Sequence, residues 1–206
     1  MIDCGEDWRG RLADLRPRAV VLTHGHPNHA FGLQSGAGCP VYATATTWHL
    51  IEHYPVAIRH EIAPRRPIDI EGMVFEAFPV AHSTRAPAVG FRITAGRSAI
   101  FYVPDVVYIE DRARALDGAR RYIGDGATMA RPLVRWRGDA LIGHTPVRTQ
   151  LTWCREAGVP RAIFTHCGSE IVGSDENAVC GRLDEFARER GVEAALAHDG
   201  VEVVLR

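Results

Sequence analysis

Short apolar runs that end in polar residues set the rhythm of this chain. Residues 18–24 (RAVVLTH) carry consecutive apolar positions from Ala19 to Leu22 and then turn polar, which predicts a short buried strand. Residues 39–45 (CPVYATA) predict a second strand, followed by a helix over 46–54. The proline- and arginine-rich stretch 62–69 (IAPRRPID) predicts a loop. Three closely spaced strands follow over 73–82, 88–96 and 98–106, the last two joined at Ala-Gly-Arg-Ser, a hairpin signal. After the segment RYIGDGAT the rhythm changes. A helix from about Pro146 to Glu156, a strand over 161–167, a helix over 175–190 and a strand over 193–205 alternate. Early strands thus lean antiparallel and later ones alternate with helices, which predicts mixed sheets covered by helices, an α/β chain.

The length of 206 residues suits one domain, 1–206, with a sizeable core, and no repeat or linker divides it. An apolar fraction of 46% with 24% charged residues is ordinary for a soluble globular protein. The formal charge of −1 gives no electrostatic reason to bind nucleic acid or a membrane surface. Five scattered cysteines without a CxxC pair read as reduced thiols, which points to a cytoplasmic setting. No apolar run is long enough to span a bilayer.

Chemistry enters with ten histidines. His24, His82 and His166 each stand where an apolar strand runs out, and His26 and His29 follow His24 within one turn. Strand ends are where distant parts of a chain converge, and neutral imidazole is the commonest ligand for zinc and related metals. Asp105, also at a strand end, offers a carboxylate able to bridge two cations. A single histidine at a strand end is more often a turn or core residue. Three imidazoles crowded after a buried strand are costly to desolvate without a partner, so the cluster HGHPNH favours metal. His49 and His53 lie at i and i+4 on the expected helix without a third ligand; with His60 they read as surface residues. His198, before an Asp-Gly turn, reads as a local turn residue.

These segments resemble the metallo-β-lactamase superfamily. THGHPNHAFGL is similar to its HxHxDH signature, and IDCGED to its first motif. VAHSTRAPAVGFRI, AIFYVPDV and IGHTPVRTQLTWCREAGVPRAIFTHCGSE are similar, in order, to the later motifs of the ribonuclease Z and cyclic-phosphodiesterase branch. The resemblance implies a four-layer αββα sandwich with a metal site at one rim. It implies one or two divalent ions, zinc foremost with manganese or iron as alternatives. His24, His26, His82 and Asp105 would hold the first; His29, His166 and the shared Asp105 the second. His144 would act as general acid, Asp3 would orient a ligand imidazole, and Asp125 would either orient His144 or serve as a plain turn residue.

Three departures shape the expected activity. Asn28 replaces the aspartate of the signature, and a neutral amide neither ligates as strongly nor accepts a proton; a loose or absent second metal, or softened activity, is expected. Only residues 83–104 separate His82 from Asp105, room for a hairpin but not for the tRNA-gripping arm of ribonuclease Z. With the neutral charge balance, that disfavours tRNA as a partner. Arg85 and Arg92 are candidates for contacting a phosphate, although solvated arginines are commoner. Third, the strands that usually precede the first motif are missing, through either a fragment's late start or a trimmed N-terminal sheet; an open sheet edge there favours a homodimer or low stability. The expected function is hydrolysis of small cyclic or linear phosphodiesters by a metal-bound hydroxide. Thioester or lactone hydrolysis, or a degenerate metal- or ligand-binding protein without turnover, are the alternatives.

Overall fold

A computed structural model describes residues 1–204; Leu205, within the last expected strand, lies outside them. The first half of the chain comprises helix α1 (Leu12–Leu15), β1 (Val20–Val21), α2 (Pro27–Ala30), β2 (Val41–Ala43), α3 (Ala45–Leu50) and β3 (Arg59–Glu61). It continues through β4 (Ile68–Ile70), β5 (Met73–Ala81), β6 (Ala88–Ala95), β7 (Ser98–Tyr102) and β8 (Tyr108–Ile109). The second half comprises α4 (Arg112–Leu116), β9 (Arg121–Asp125), β10 (Leu133–Arg137), β11 (Ala140–His144), α5 (Val147–Glu156), β12 (Arg161–Thr165), α6 (Ser169–Val172), α7 (Glu176–Arg188) and β13 (Glu193–Leu196).

The strands form a small sheet, β1-β2-β3, and a large one, β13-β12-β9-β7-β6-β5-β4 with β8 on β5. Alternation along each strand sorts side chains into three apolar layers. Val20, Val41 and Ala43 face outward onto Leu12, Leu33 and Ile51 of the first helical layer. Val21 faces the other way and meets Phe75, Ala77, Phe91 and Ile93 between the sheets. Phe78, Val80, Phe101 and Phe164 face Leu151, Leu183 and Phe186 of α5 and α7. Helix, sheet, sheet and helix stack as the αββα expectation requires.

The early strands need a correction. β5, β6 and β7 are antiparallel as expected, with Ala95 opposite Ser98 at the hairpin. β1, β2 and β3 are all parallel. Their connections run through helices, and that reach permits parallel pairing. The expected strand over 193–205 pairs only at Glu193–Leu196, and a turn closed by Val201 N to His198 O follows. β3, β8 and the β10–β11 hairpin carry few buried residues and gave no apolar signal to read.

The consequence for function is direction. β5, β7, β9 and β12 run the same way, so residues just beyond their C-terminal ends share one rim. The small sheet joins that rim where Val89 N donates to Thr23 O. None of the helices among the described residues is long and apolar enough to cross a membrane.

Phe101 anchors the large sheet against its helices. Its ring is fully buried, 5.8 Å from Phe78 and 6.3 Å from Tyr122 between centroids. Phe101→Ala should cost about 3–5 kcal/mol in urea unfolding, with the midpoint lowered and the slope unchanged. A loss below about 1 kcal/mol would contradict this packing.

Candidate metal centre

The rim gathers residues from six segments. His24 follows β1, His26 precedes Pro27 at the start of α2, and His29 lies within that helix, which turns its ring back toward His24 (centroids 4.2 Å apart). His82 follows β5, Asp105 follows β7, Asp125 ends β9, His144 ends β11 and His166 follows β12. Gly5 makes room for this turn, since a Cβ there would lie 2.2 Å from the Asn28 carbonyl oxygen. His24, His26 and His82 form one compact group of potential ligand atoms; His24, His29 and Asp105 form a second; Asp105, Asp125, His144 and His166 form a third.

Hydrogen bonds behind the cluster fix which nitrogen faces it. Thr23 Oγ1 donates its one proton to the Asp3 carboxylate (2.9 Å), so it accepts from His24 Nδ1 (2.9 Å). That leaves the His24 Nε2 lone pair facing His26 Nδ1 at 2.9 Å. His29 Nδ1 donates to Asp3 Oδ2 (2.8 Å), which turns Nε2 toward Asp105. His82 Nδ1 donates to the Gly143 carbonyl (3.0 Å), so its Nε2 lone pair also faces His26 Nδ1, at 3.3 Å. Three acceptor nitrogens thus converge with too few protons among them.

Asp105 makes the same demand. His29 Nε2 stands 2.7 Å and His24 Nε2 3.6 Å from its Oδ2, while His166 Nδ1 is 3.2 Å from its Oδ1. Yet both Asp105 oxygens, His29 Nε2 and His166 Nδ1 are buried without a hydrogen bond. Such orphaned groups are costly unless something else satisfies them. The donor set of imidazoles and one carboxylate fits a divalent cation.

Electrostatics agree. Burial, followed for His24 by the neighbouring His29, holds His24 well below the usual imidazole range, and burial lowers His26 and His82 as well. Neutral rings with available lone pairs result. Burial opposes ionisation of Asp105, but His29, His166 and His24 outweigh it and hold the carboxyl well below the ordinary range. Burial also pulls His29 down; the Asp105 and Asp3 carboxylates facing its two ring nitrogens outweigh it and raise the ring to about 9. Asp3 and His166 adopt left-handed backbone, φ 57° and 53°, which costs about 1 kcal/mol each for non-glycine residues.

Asp125, fully buried, accepts through Oδ2 from His144 Nδ1 at 2.8 Å. His144 Nε2 has no protein partner among the described residues. Asn28 turns its amide to His166 Nε2 at 3.0 Å, which leaves Nδ1 facing Asp105. Arg92 corrects an expectation: its guanidinium donates to the carbonyls of Arg114 and Asp117, not to this rim. Arg85 is exposed, and only its backbone N–H is engaged, on Ser83 Oγ. His49, His53 and His60 are exposed, and His60 stacks on Tyr42.

Two residues escaped sequence reading. Thr23 lies inside the apolar run and gives no separate signal. Gln150, fully buried on α5, uses its whole amide: Nε2 donates to Asp125 O and Thr145 O, while Oε1 accepts from Tyr122 Oη and Asp125 N. It braces the backbone on both sides of the Asp125–His144 pair. A glutamine on an apolar helix face was the available clue. A cavity of about 700 Å³, lined by Leu12, Arg16, Gly36, Cys39 and Pro55, includes none of the rim residues. A smaller cleft of about 330 Å³ opens at His82.

With this geometry in view, the comparisons are informative. Residues 1–167 match the family model described as a beta-lactamase superfamily domain, and the chain belongs to that superfamily. It has the metallo-β-lactamase fold, the fold of a superfamily of hydrolytic metallo-enzymes. The metallo-beta-lactamase fold protein YhfI from Bacillus subtilis is similar at 18% identity and a TM-score of 0.72, over 97% of this chain and 84% of that one. A diphosphatase from the PhnP family is similar at 22% identity and 0.68, over 97% and 76%. The short form of human tRNase Z is similar at 19% identity and 0.61, over 82% of each chain. No curated protein matches.

The His29 environment yields a pH signature in metal-free protein. Raised from 6.5 to about 9, the ring contributes stability that is full below 6.5 and lost as pH rises through about 9. Nitrogen NMR of chelated protein should show a protonated His29 ring to about pH 9, while His24 stays neutral below 6.5. A neutral His29 at pH 7 would contradict the double carboxylate contact.

Proposed function

We propose that this chain is a metal-dependent phosphodiesterase acting on small cyclic or linear phosphodiesters. The observation that carries the reading is the His144–Asp125 pair standing beside the imidazole cluster, with His144 Nδ1 also 3.4 Å from Asp105. His24, His26, His82 and Asp105 would hold one divalent ion, and His29, His166 and Asp105 a second, with Asp3 fixing the His29 ring. Zinc suits this donor set best; manganese and iron are alternatives. When bound, such an ion lowers the pKa of a coordinated water toward about 7 and offsets charge on phosphoryl oxygens.

The protein's own part is proton and position. Asp125 fixes the His144 ring by accepting from Nδ1; burial opposes a charged ring, but that hydrogen bond outweighs it and raises the His144 pKa, which favours the imidazolium whose Nε2–H passes to a departing ester oxygen. Gln150 and the Asp3–Thr23 bonds hold this arrangement in place. The diphosphatase and tRNase Z likenesses support phosphoester chemistry. The charge of −1 argues against a tRNA substrate, which demands phosphate neutralisation. All five cysteines are free, which suits a cytoplasmic setting.

A second reading, metal or ligand binding without turnover, is favoured by Asn28, a neutral amide where the superfamily signature carries an aspartate. Hydrolysis of bis(4-nitrophenyl) phosphate with saturating zinc or manganese separates the two. Wild type should turn over, His144→Ala should lose about 10²–10⁴-fold in kcat, and Asn28→Asp should gain activity or metal affinity. If wild type and Asn28→Asp are equally inert, the binding reading wins.

A further inference from the structure

Among the described residues, Trp136 and Tyr108 are the only large aromatic side chains exposed by about half or more, at 67% and 49%. Both line the same cleft, together with His82, Pro87, Leu141 and Asp139. Their placement is built from two sides of His82. Tyr108 lies opposite Ala81 in the β5–β8 pairing, one residue before His82. Trp136 reaches the cleft through the hairpin. Gly143 N donates to the His82 carbonyl (2.8 Å), and the Gly143 carbonyl accepts from His82 Nδ1, so β11 is docked on the ligand histidine itself. Gly143 is required there: at φ 116° its Cβ would fall 1.9 Å from the Leu133 carbonyl oxygen. Two residues back along β11 stands Leu141, paired with Trp136 and on the same face as Gly143.

We propose that this cleft receives one ester group of the substrate and selects phosphodiesters bearing a flat, uncharged aromatic ring, aryl or nucleobase, over those bearing alkyl groups. The phosphate half of this inference rests on the phosphodiesterase reading. The occupant follows from the lining. An indole and a phenol left in water beside a ligand histidine gain by covering a ring face, and their electron-rich faces suit stacking. Asp139 makes no ion pair among the described residues; its carboxylate disfavours an anionic substituent and can accept a hydrogen bond from a ring N–H or amino group. The volume of about 330 Å³ suits one ring system rather than a polymer. Continuity with His82 places that ring next to the phosphorus-binding rim.

The probes are diphenyl phosphate and diethyl phosphate, titrated against the full chain as purified and followed by tryptophan fluorescence and calorimetry. Wild type should bind the diphenyl ester at least about tenfold tighter. Trp136→Ala should abolish that preference, and Trp136→Phe should retain most of it. In turnover of bis(4-nitrophenyl) phosphate, Trp136→Ala should raise KM, and Trp136→Phe should restore most of the loss. A preference that survives in Trp136→Ala, or is absent in wild type, overturns the inference. So does a wild-type dimer that Trp136→Ala converts to monomer, because a second copy then fills the cleft. A wild type that hydrolyses no phosphodiester but keeps Trp136-dependent binding refutes the phosphodiesterase reading and leaves the cleft standing. A hydrolase whose selectivity ignores Trp136 does the reverse.

Discussion

Asp105 carries a negative charge in a place with almost no water, and the imidazoles around it present lone pairs where protons would be expected. A carboxylate that deep is tolerated only when positive charge or hydrogen bonds compensate for lost hydration. The neighbouring histidines compensate in part: His29, held by Asp3 on one nitrogen, brings the other to 2.7 Å. The remaining oxygens and nitrogens stay unpaired. A cation at their meeting point resolves the whole deficit at once. Much of the architecture follows from that need. Parallel strands deliver ligands to one rim, Gly5 lets the first turn close, and the backbones of Asp3 and His166 accept strained conformations.

The strand-end histidines and Asp105 were legible because each follows an apolar run whose burial is dictated by composition. The spacing of His24, His26 and His29 made sense once Pro27 started a short helix and turned the third ring back. The parallel pairing of β1, β2 and β3 was not legible, since two or three residues per strand carry no direction signal. The β10–β11 hairpin was missed for a different reason: its side chains are mostly exposed, so no alternation of buried and exposed positions marks it. Thr23 and Gln150 act through hydrogen bonds to distant backbone, and sequence spacing holds no trace of such contacts.

Support around the site is uneven, and that unevenness bears on chemistry. The His24, His26 and His82 group has two ring tautomers fixed from behind, by Thr23 and by Gly143. On the other side, His166 is partly exposed and its Nε2 is engaged by Asn28. The same hairpin that holds His82 also carries Trp136 and His144, so one element links ligand orientation, acid placement and the wall of the cleft.

The most direct test of the convergence at Asp105 is the metal content of protein purified without added metal, measured by elemental analysis for wild type and Asp105→Ala. Wild type should retain at least one equivalent of a divalent transition metal, and Asp105→Ala, folded by circular dichroism, should retain far less. A folded wild type that holds none, and takes up none on titration with zinc, manganese or iron, would contradict the account.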